Sequence, residues 1–379
     1  MLYLNPDIKN LPTLLETVDI VRKMVQQFPV VHRGPFTPIV EDEDAFILTR
    51  TDWMYSLKPN ITNQGAIFGW CNYFQDIETT PDPLKSTLYR QEKPNYLLNN
   101  IIREDFEIIL ESHPLYSLLK TGIDLPKLRR PIKIDNPYGV AHAYGLPSPF
   151  ISLTSSIDIA AFHACHTYDC RTGKFIPITD NNKTGLIFVF ELRGPFAMTL
   201  GLSTIGKQAF LRPGNNKLFA YQCRPDVVFA SLPFVKGFQF RQTKDSTNLF
   251  DNIFGHGIAL NPKEIISDKL NKLLDSQSFS DQAFKRNLIH NPKDNPTVNL
   301  DRLANAGLSR KKTIDLEFTS NELQAIWFDE VEDNWEDFWD ETIFPMLNES
   351  QYNALMDLPN NPEYRMYFDQ SLWRNRPLQ

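Results

Sequence analysis

The sequence predicts an α+β protein, and three observations carry that reading. Apolar residues recur at helical spacing over Leu11–Phe28, Leu97–Leu110 and Pro262–Leu274. The run Leu186-Ile-Phe-Val-Phe-Glu-Leu192 has the length and composition of a buried strand. Between them, Tyr144–Phe162 reads as a Gly/Pro turn, a strand ending in hydroxyls, and a helix.

In chain order, Leu14, Leu15, Val18, Ile20, Val21 and Met24 mark the first helix, and Pro29 ends it. Val30-Val-His-Arg33 follows as a short strand that stops at Gly34-Pro35. Residues 36–95 carry prolines and mixed polarity, which predict irregular structure with short helices. Leu98, Ile101, Ile102, Phe106, Ile109 and Leu110 line a strong amphipathic helix. His113-Pro114 interrupts it, and Leu115–Leu119 starts another. In the central segment, Gly145 and Pro147 make the turn, Ser152, Thr154, Ser155 and Ser156 end the strand, and Asp158 can start a helix packed through Ala160, Ala161 and Phe162. Gln208–Gly214 and Lys217–Gln222 predict two further strands, with Arg212-Pro213-Gly214 as the turn between them. Phe234–Phe240 and Gly257–Leu260 add β-like material before the last strong helix.

The chain has 379 residues, of which 42% are hydrophobic and 12% aromatic, ample for a core. Its net charge of -7 argues against a general nucleic-acid binder. From Thr313 onward there are 15 acidic and 3 basic residues, a charge of -12, which leaves the rest near +5. A mildly basic body suits an anionic small ligand. Trp327, Phe328, Trp335, Phe338, Trp339 and Phe344 alternate with acids. They predict an amphipathic helix with an acidic outer face, or a docking surface for a basic protein partner, or a cover over the basic body.

Cys71, Cys165, Cys170 and Cys223 show no disulfide spacing. The first residues lack a basic and apolar leader, and no apolar stretch approaches the ~20 residues of a membrane span. These features predict a cytoplasmic protein with reduced thiols.

A row of hydroxyls where a buried strand gives way to a helix presents polar groups to a ligand, so a pocket is expected there. Arg33, at a strand end and followed by Gly34, can grip a phosphate or carboxylate bidentately while the glycine lets backbone approach; a structural ion pair is the alternative. His163, Cys165, His166 and Cys170 match no closed zinc pattern, and no metal is expected. Walker, Gly-x-Gly-x-x-Gly, His-Glu-x-x-His and Gly-x-Ser-x-Gly motifs are absent.

Several of these stretches resemble one known family. His32-Arg33-Gly34 is similar to the Phe-Arg-Gly that names the FRG domain. Ala141-His-Ala-Tyr-Gly-Leu-Pro-Ser148 resembles its Ala-Gln-His-Tyr-Gly-Leu-Pro-Thr motif. Ser152-Leu-Thr154 falls where the family has Asp-Trp-Thr, and Ala160-Ala-Phe162 continues into the expected helix. The likeness covers about residues 15–275. His32, His142, Ala143 and Ser152 depart from the pattern.

More distantly, the chain resembles ADP-ribosyltransferases of the arginine-serine-glutamate type. That resemblance implies a split, mostly antiparallel sheet with helices around it, in a domain over residues 1–290. Outside the resemblance, the polar stretch 291–312 with its two prolines reads as a linker, and 313–379 as an acidic, aromatic-rich helical extension. The resemblance implies NAD as substrate and ADP-ribosyl transfer or NAD cleavage as activity, in a toxin or anti-phage effector. Arg33 and Gly34 would hold the diphosphate or ribose, and Tyr144, Ser152 and Thr154 the rest of the nucleotide. Gln208 stands at the catalytic glutamate's position, with Ser152 and Arg33 completing the catalytic set. A glutamine supplies the hydrogen bond but no charge to an oxocarbenium-like state, so Glu191 could serve instead, or the pocket could bind a nucleotide and act through a partner.

Overall fold

The computed structural model describes residues 8–27, 53–56, 86, 88–89, 94–126, 131, 133, 136–154, 156–169, 173–191, 202–205, 209–225, 232, 235–327 and 349–368. Of the apolar positions expected in helix α1 (Leu14–Gln27), Leu14, Val18 and Val21 are buried, while Leu15 and Ile20 face solvent. Strand β1 (Trp53–Ser56) follows. Helix α2 (Tyr96–Glu111) starts where Asn95 accepts the Leu98 N–H, and α3 (Pro114–Thr121) starts where His113 accepts that of Tyr116. Helix α4 (Pro137–Ala143), capped by Asn136, leads through Gly145 (φ +92°) into β2 (Phe150–Thr154). That left-handed angle is why a glycine stands at the turn. Helix α5 (Ile157–Ala164) comes next, then the hairpin of β3 (His166–Asp169) and β4 (Lys174–Pro177).

Strands β5 (Thr184–Glu191), β6 (Leu202–Thr204), β7 (Leu218–Gln222) and β8 (Val235–Arg241) complete a six-stranded sheet with order β6-β7-β2-β1-β5-β8. Every neighbouring pair in it is antiparallel. Strand β2 is buried along its whole length, with Ser152 opposite Ala220 on β7 and Thr154 opposite Tyr55 on β1. Gly185 faces Phe240 across β5 and β8, and a Cβ there would lie 2.2 Å from the Phe240 ring. The missing side chain makes room for a fully buried aromatic, worth about 2–3 kcal/mol.

Helices α6 (Leu211–Asn215), α7 (Lys244–Ile253) and α8 (Ile265–Asp275) lie between and after these strands. Strand β9 (Ser278–Ser280) pairs in parallel with β10 (Ser309–Lys311), around α9 (Asp281–His290) and α10 (Pro296–Asn305). This unit packs Phe279, Phe284 and Leu303 on Leu97 and Ile101 of α2. Helices α11 (Ser320–Trp327) and α12 (Glu349–Met356) follow. The protein is thus α+β with an antiparallel main sheet. No described helix is long and apolar enough to cross a membrane.

The structure departs from the sequence expectations at four places. The stretch expected as a strand ending at Gly214 turns helical at Leu211, and Arg212-Pro213-Gly214 lies inside α6 instead of forming a hairpin turn. Pro213 sits in the first helical turn, where its missing N–H costs nothing. The Leu211 N–H is taken by the Glu264 carboxylate, and Phe210 buries its ring against His113 and Tyr116. Gly257–Leu260 is a series of turns. Gly255, His256 and Gly257 all adopt positive φ, which a strand cannot. Finally, residues 36–95 hold a strand the pattern did not reveal, β1, in the middle of the sheet. Residues 296–311, within the expected linker, carry α10 and β10. Val30–Gly34 and the aromatic-acidic stretch from 328 to 347 lie outside the described residues.

Candidate functional site at the end of strand β2

The passage from β2 into α5 is held by its own hydroxyls. Thr154 Oγ1 accepts the Ser156 N–H at 3.2 Å, and Ser156 Oγ accepts the Ile159 N–H at 3.4 Å. Ser156, not Asp158, is therefore the cap; Asp158 sits in the first turn, where its charge suits the helix dipole, and pairs with Arg22 of α1. Ala160, Ala161 and Phe162 are buried, as their pattern predicts.

Behind the strand, three polar side chains form a row. Ser148 Oγ lies 2.8 Å from His142 Nδ1, and His142 Nε2 lies 2.7 Å from Ser152 Oγ. His142 is 2% exposed, Ser152 1% and Thr154 0%. Buried polar groups must be paired, and this row pairs both ring nitrogens with hydroxyls. The helix α4 brings His142 to the strand, and the turn at Gly145 folds Ser148 back onto the same ring.

A second cluster fixes the turn from the other side. Tyr144 donates its hydroxyl to Glu264 Oε2 at 2.8 Å, and the Arg212 guanidinium stacks 4.7 Å from the Tyr144 ring centre. Glu264 Oε1 accepts the Leu211 N–H at 2.7 Å. Burial pushes the Glu264 carboxyl above its ordinary range, while Tyr144 and Arg212 pull it back.

Of the residues expected at the site, the structure brings Ser152 and Thr154 together on one strand. Tyr144 reaches the same turn but spends its hydroxyl on Glu264. Arg33, Gly34 and Gln208 lie outside the described residues. Glu191 closes β5 opposite Trp53 of β1.

No protein-family model, curated protein or solved structure matches this chain. The reading of the site therefore rests on its own chemistry and on the motifs quoted above.

Other polar clusters were not legible in the sequence. His166 Nε2 and His256 Nδ1 flank the Asp251 carboxylate at 3.2 and 2.6 Å, joining residues 85 and 5 positions away. Burial lowers His166 from its ordinary value and raises the Cys165 thiol, which packs as an apolar group in the core. Among the described residues no set of three His, Cys, Asp or Glu side chains is arranged to hold a metal. On α2, Glu107 meets Tyr116 and Lys120, while Glu111 meets Lys120 and Arg286. These pairs fasten α3 and α9 to α2; Glu107 and Glu111, acids in the apolar C-terminal half of α2, were their sequence signal.

Proposed function

We propose that this protein binds NAD and cleaves its nicotinamide bond, passing ADP-ribose to water or to an acceptor. On this reading it is an FRG-like chain with an ADP-ribosyltransferase-like split sheet. The observation that carries the reading is the centre of the main sheet. There Ser152-Leu-Thr154 ends a buried strand and leads into the Ala160-Ala-Phe162 helix, inside a wholly antiparallel six-stranded sheet. The Tyr-Gly-Leu-Pro turn sits directly before that strand. Arg33 grips the diphosphate, and Ser152 and Thr154 meet the nicotinamide-ribose end.

One observation favours a second reading, a nucleotide-sensing module acting through a protein partner at the acidic C-terminal segment. Ser152 and Thr154 are both fully buried, and Gln208 lacks the charge that speeds cleavage. Incubating purified protein with NAD and quantifying nicotinamide separates the two. Release above the uncatalysed rate supports the enzyme. Saturable binding without release supports the sensor. Neither binding nor release rejects both.

A further inference from the structure

We propose that Arg103 and Asn99 of α2 form a surface site for a phosphate group, outside the site described above and independent of the NAD reading. Its basis is a guanidinium that is held in place but given no acceptor.

The Arg103 guanidinium lies 3.9 Å over the centre of the Tyr138 ring. That ring is itself fixed. Its hydroxyl donates to Glu104 Oε1 at 3.2 Å and lies 3.3 Å from His290 Nε2, so α2, α4 and α9 meet around it. Other partly buried cations find carboxylates: Lys120 meets Glu107 and Glu111, Lys269 meets Glu322, and Arg286 meets Glu111. Among the described residues no carboxylate or carbonyl meets the Arg103 guanidinium. Glu104 follows it in sequence but leaves the helix about 100° further round, and accepts from Tyr138 instead.

Arg103 Nε is closed off from solvent and unpaired, and so is Asn99 Nδ2, one turn earlier on the same helix face. Buried donors are almost always paired, and an unpaired one marks a missing acceptor. Arg103 stays partly exposed, and its two terminal nitrogens are not closed off, so the fork opens to solvent. A ligand therefore approaches from the surface and needs no interior cavity.

The donors narrow the ligand. A guanidinium fork takes two oxygens of a carboxylate or a phosphate. Asn99 adds a donor one turn away. A carboxylate has both oxygens spent on the fork, whereas a tetrahedral phosphate keeps a third oxygen for the amide. The Glu104 carboxylate beside the site opposes an anion, so a modest Kd of about 1 mM is expected.

The test titrates inorganic phosphate, glycerol phosphate and acetate into the full chain at constant ionic strength. Proton–nitrogen NMR follows the Arg103 Nε–H, assigned by its loss in Arg103→Lys, and the backbone amides of α2. Inorganic phosphate should give a saturable shift, with acetate at least about tenfold weaker. Glycerol phosphate binding equally well assigns the site to esterified phosphate; inorganic phosphate alone assigns it to the free ion. Asn99→Ala should weaken phosphate about fivefold, one hydrogen bond. Arg103→Lys, which keeps the charge and loses the fork, should weaken it about tenfold. A shift that rises linearly without saturating, acetate as tight as phosphate, or an Asn99→Ala variant as tight as the wild type would overturn the site. The wild-type titration decides the first two outcomes without any variant, and the same spectra show whether each variant is folded.

Discussion

Tyr144 and Glu264, 120 residues apart, are joined by a 2.8 Å hydrogen bond that ties the turn before β2 to the start of α8. The same carboxylate holds Leu211 at the start of α6. One side chain therefore fixes the Tyr-Gly-Leu-Pro turn relative to the segment that follows Gln208. Tyr144→Phe should cost about 1 kcal/mol of stability, one net hydrogen bond. Glu264→Ala should cost more, about 2–3 kcal/mol, because it orphans two donors in a buried place. Glu264→Gln keeps an acceptor for Leu211 and should lie between them. Urea midpoints of the three variants give the order, and a Glu264→Ala loss no larger than that of Tyr144→Phe would refute the joint.

Gln208 leaves the proposed cleavage without a carboxylate at the position the resemblance makes catalytic. A charged acceptor is roughly twice as strong as a neutral one, so Gln208→Glu should raise nicotinamide release at least about tenfold. An unchanged rate would show that another acid, such as Glu191, already serves.

His113 gives the fold an acid weakness. Its ring is wholly buried between Phe210 and Phe318, and burial lowers its pKa from 6.5 to about 3. The unfolded chain therefore takes up this proton first as pH falls. Stability is intact above pH 6.5 and declines as pH falls toward 3. The loss should reach about 2 kcal/mol between pH 8 and pH 5. His113→Leu should weaken the protein at pH 8 through the lost cap, yet flatten this decline. Urea denaturation across the pH range measures both effects.

Asp105 works in the opposite direction. Burial raises its pKa from 3.8 to about 6, against the two contacts it accepts from the Ser280 N–H. Its stabilising contribution is full below pH 3.8 and is lost as pH rises through about 6. Asp105→Asn keeps an acceptor for Ser280 and should add about 1–3 kcal/mol at pH 8. The gain should vanish below about pH 4. A gain that persists at pH 4 would place its origin elsewhere.

Where structure follows from local pattern, the sequence was readable. Leu14, Val18 and Val21 of α1, the buried Ala160, Ala161 and Phe162 of α5, and the Leu186–Val189 run all report their environment through nearest neighbours. Where structure depends on distant partners, it was not. The helix at Leu211 needs Glu264, 53 residues on, to accept its first N–H. Strand β1 is four residues long and takes its place from pairing with β2 and β5, about 100 and 136 positions away. The Tyr-Gly-Leu-Pro turn and the hydroxyl strand were legible as a motif, but the imidazole between Ser148 and Ser152 was not. A histidine at the end of one helix says nothing about which hydroxyls will surround it.

The most direct measurement is calorimetric titration of NAD into the wild-type protein and into Arg33→Ala. Saturable heat in the wild type, lost in the variant, is the expected result. Identical titrations, or no heat from either protein, would contradict the account.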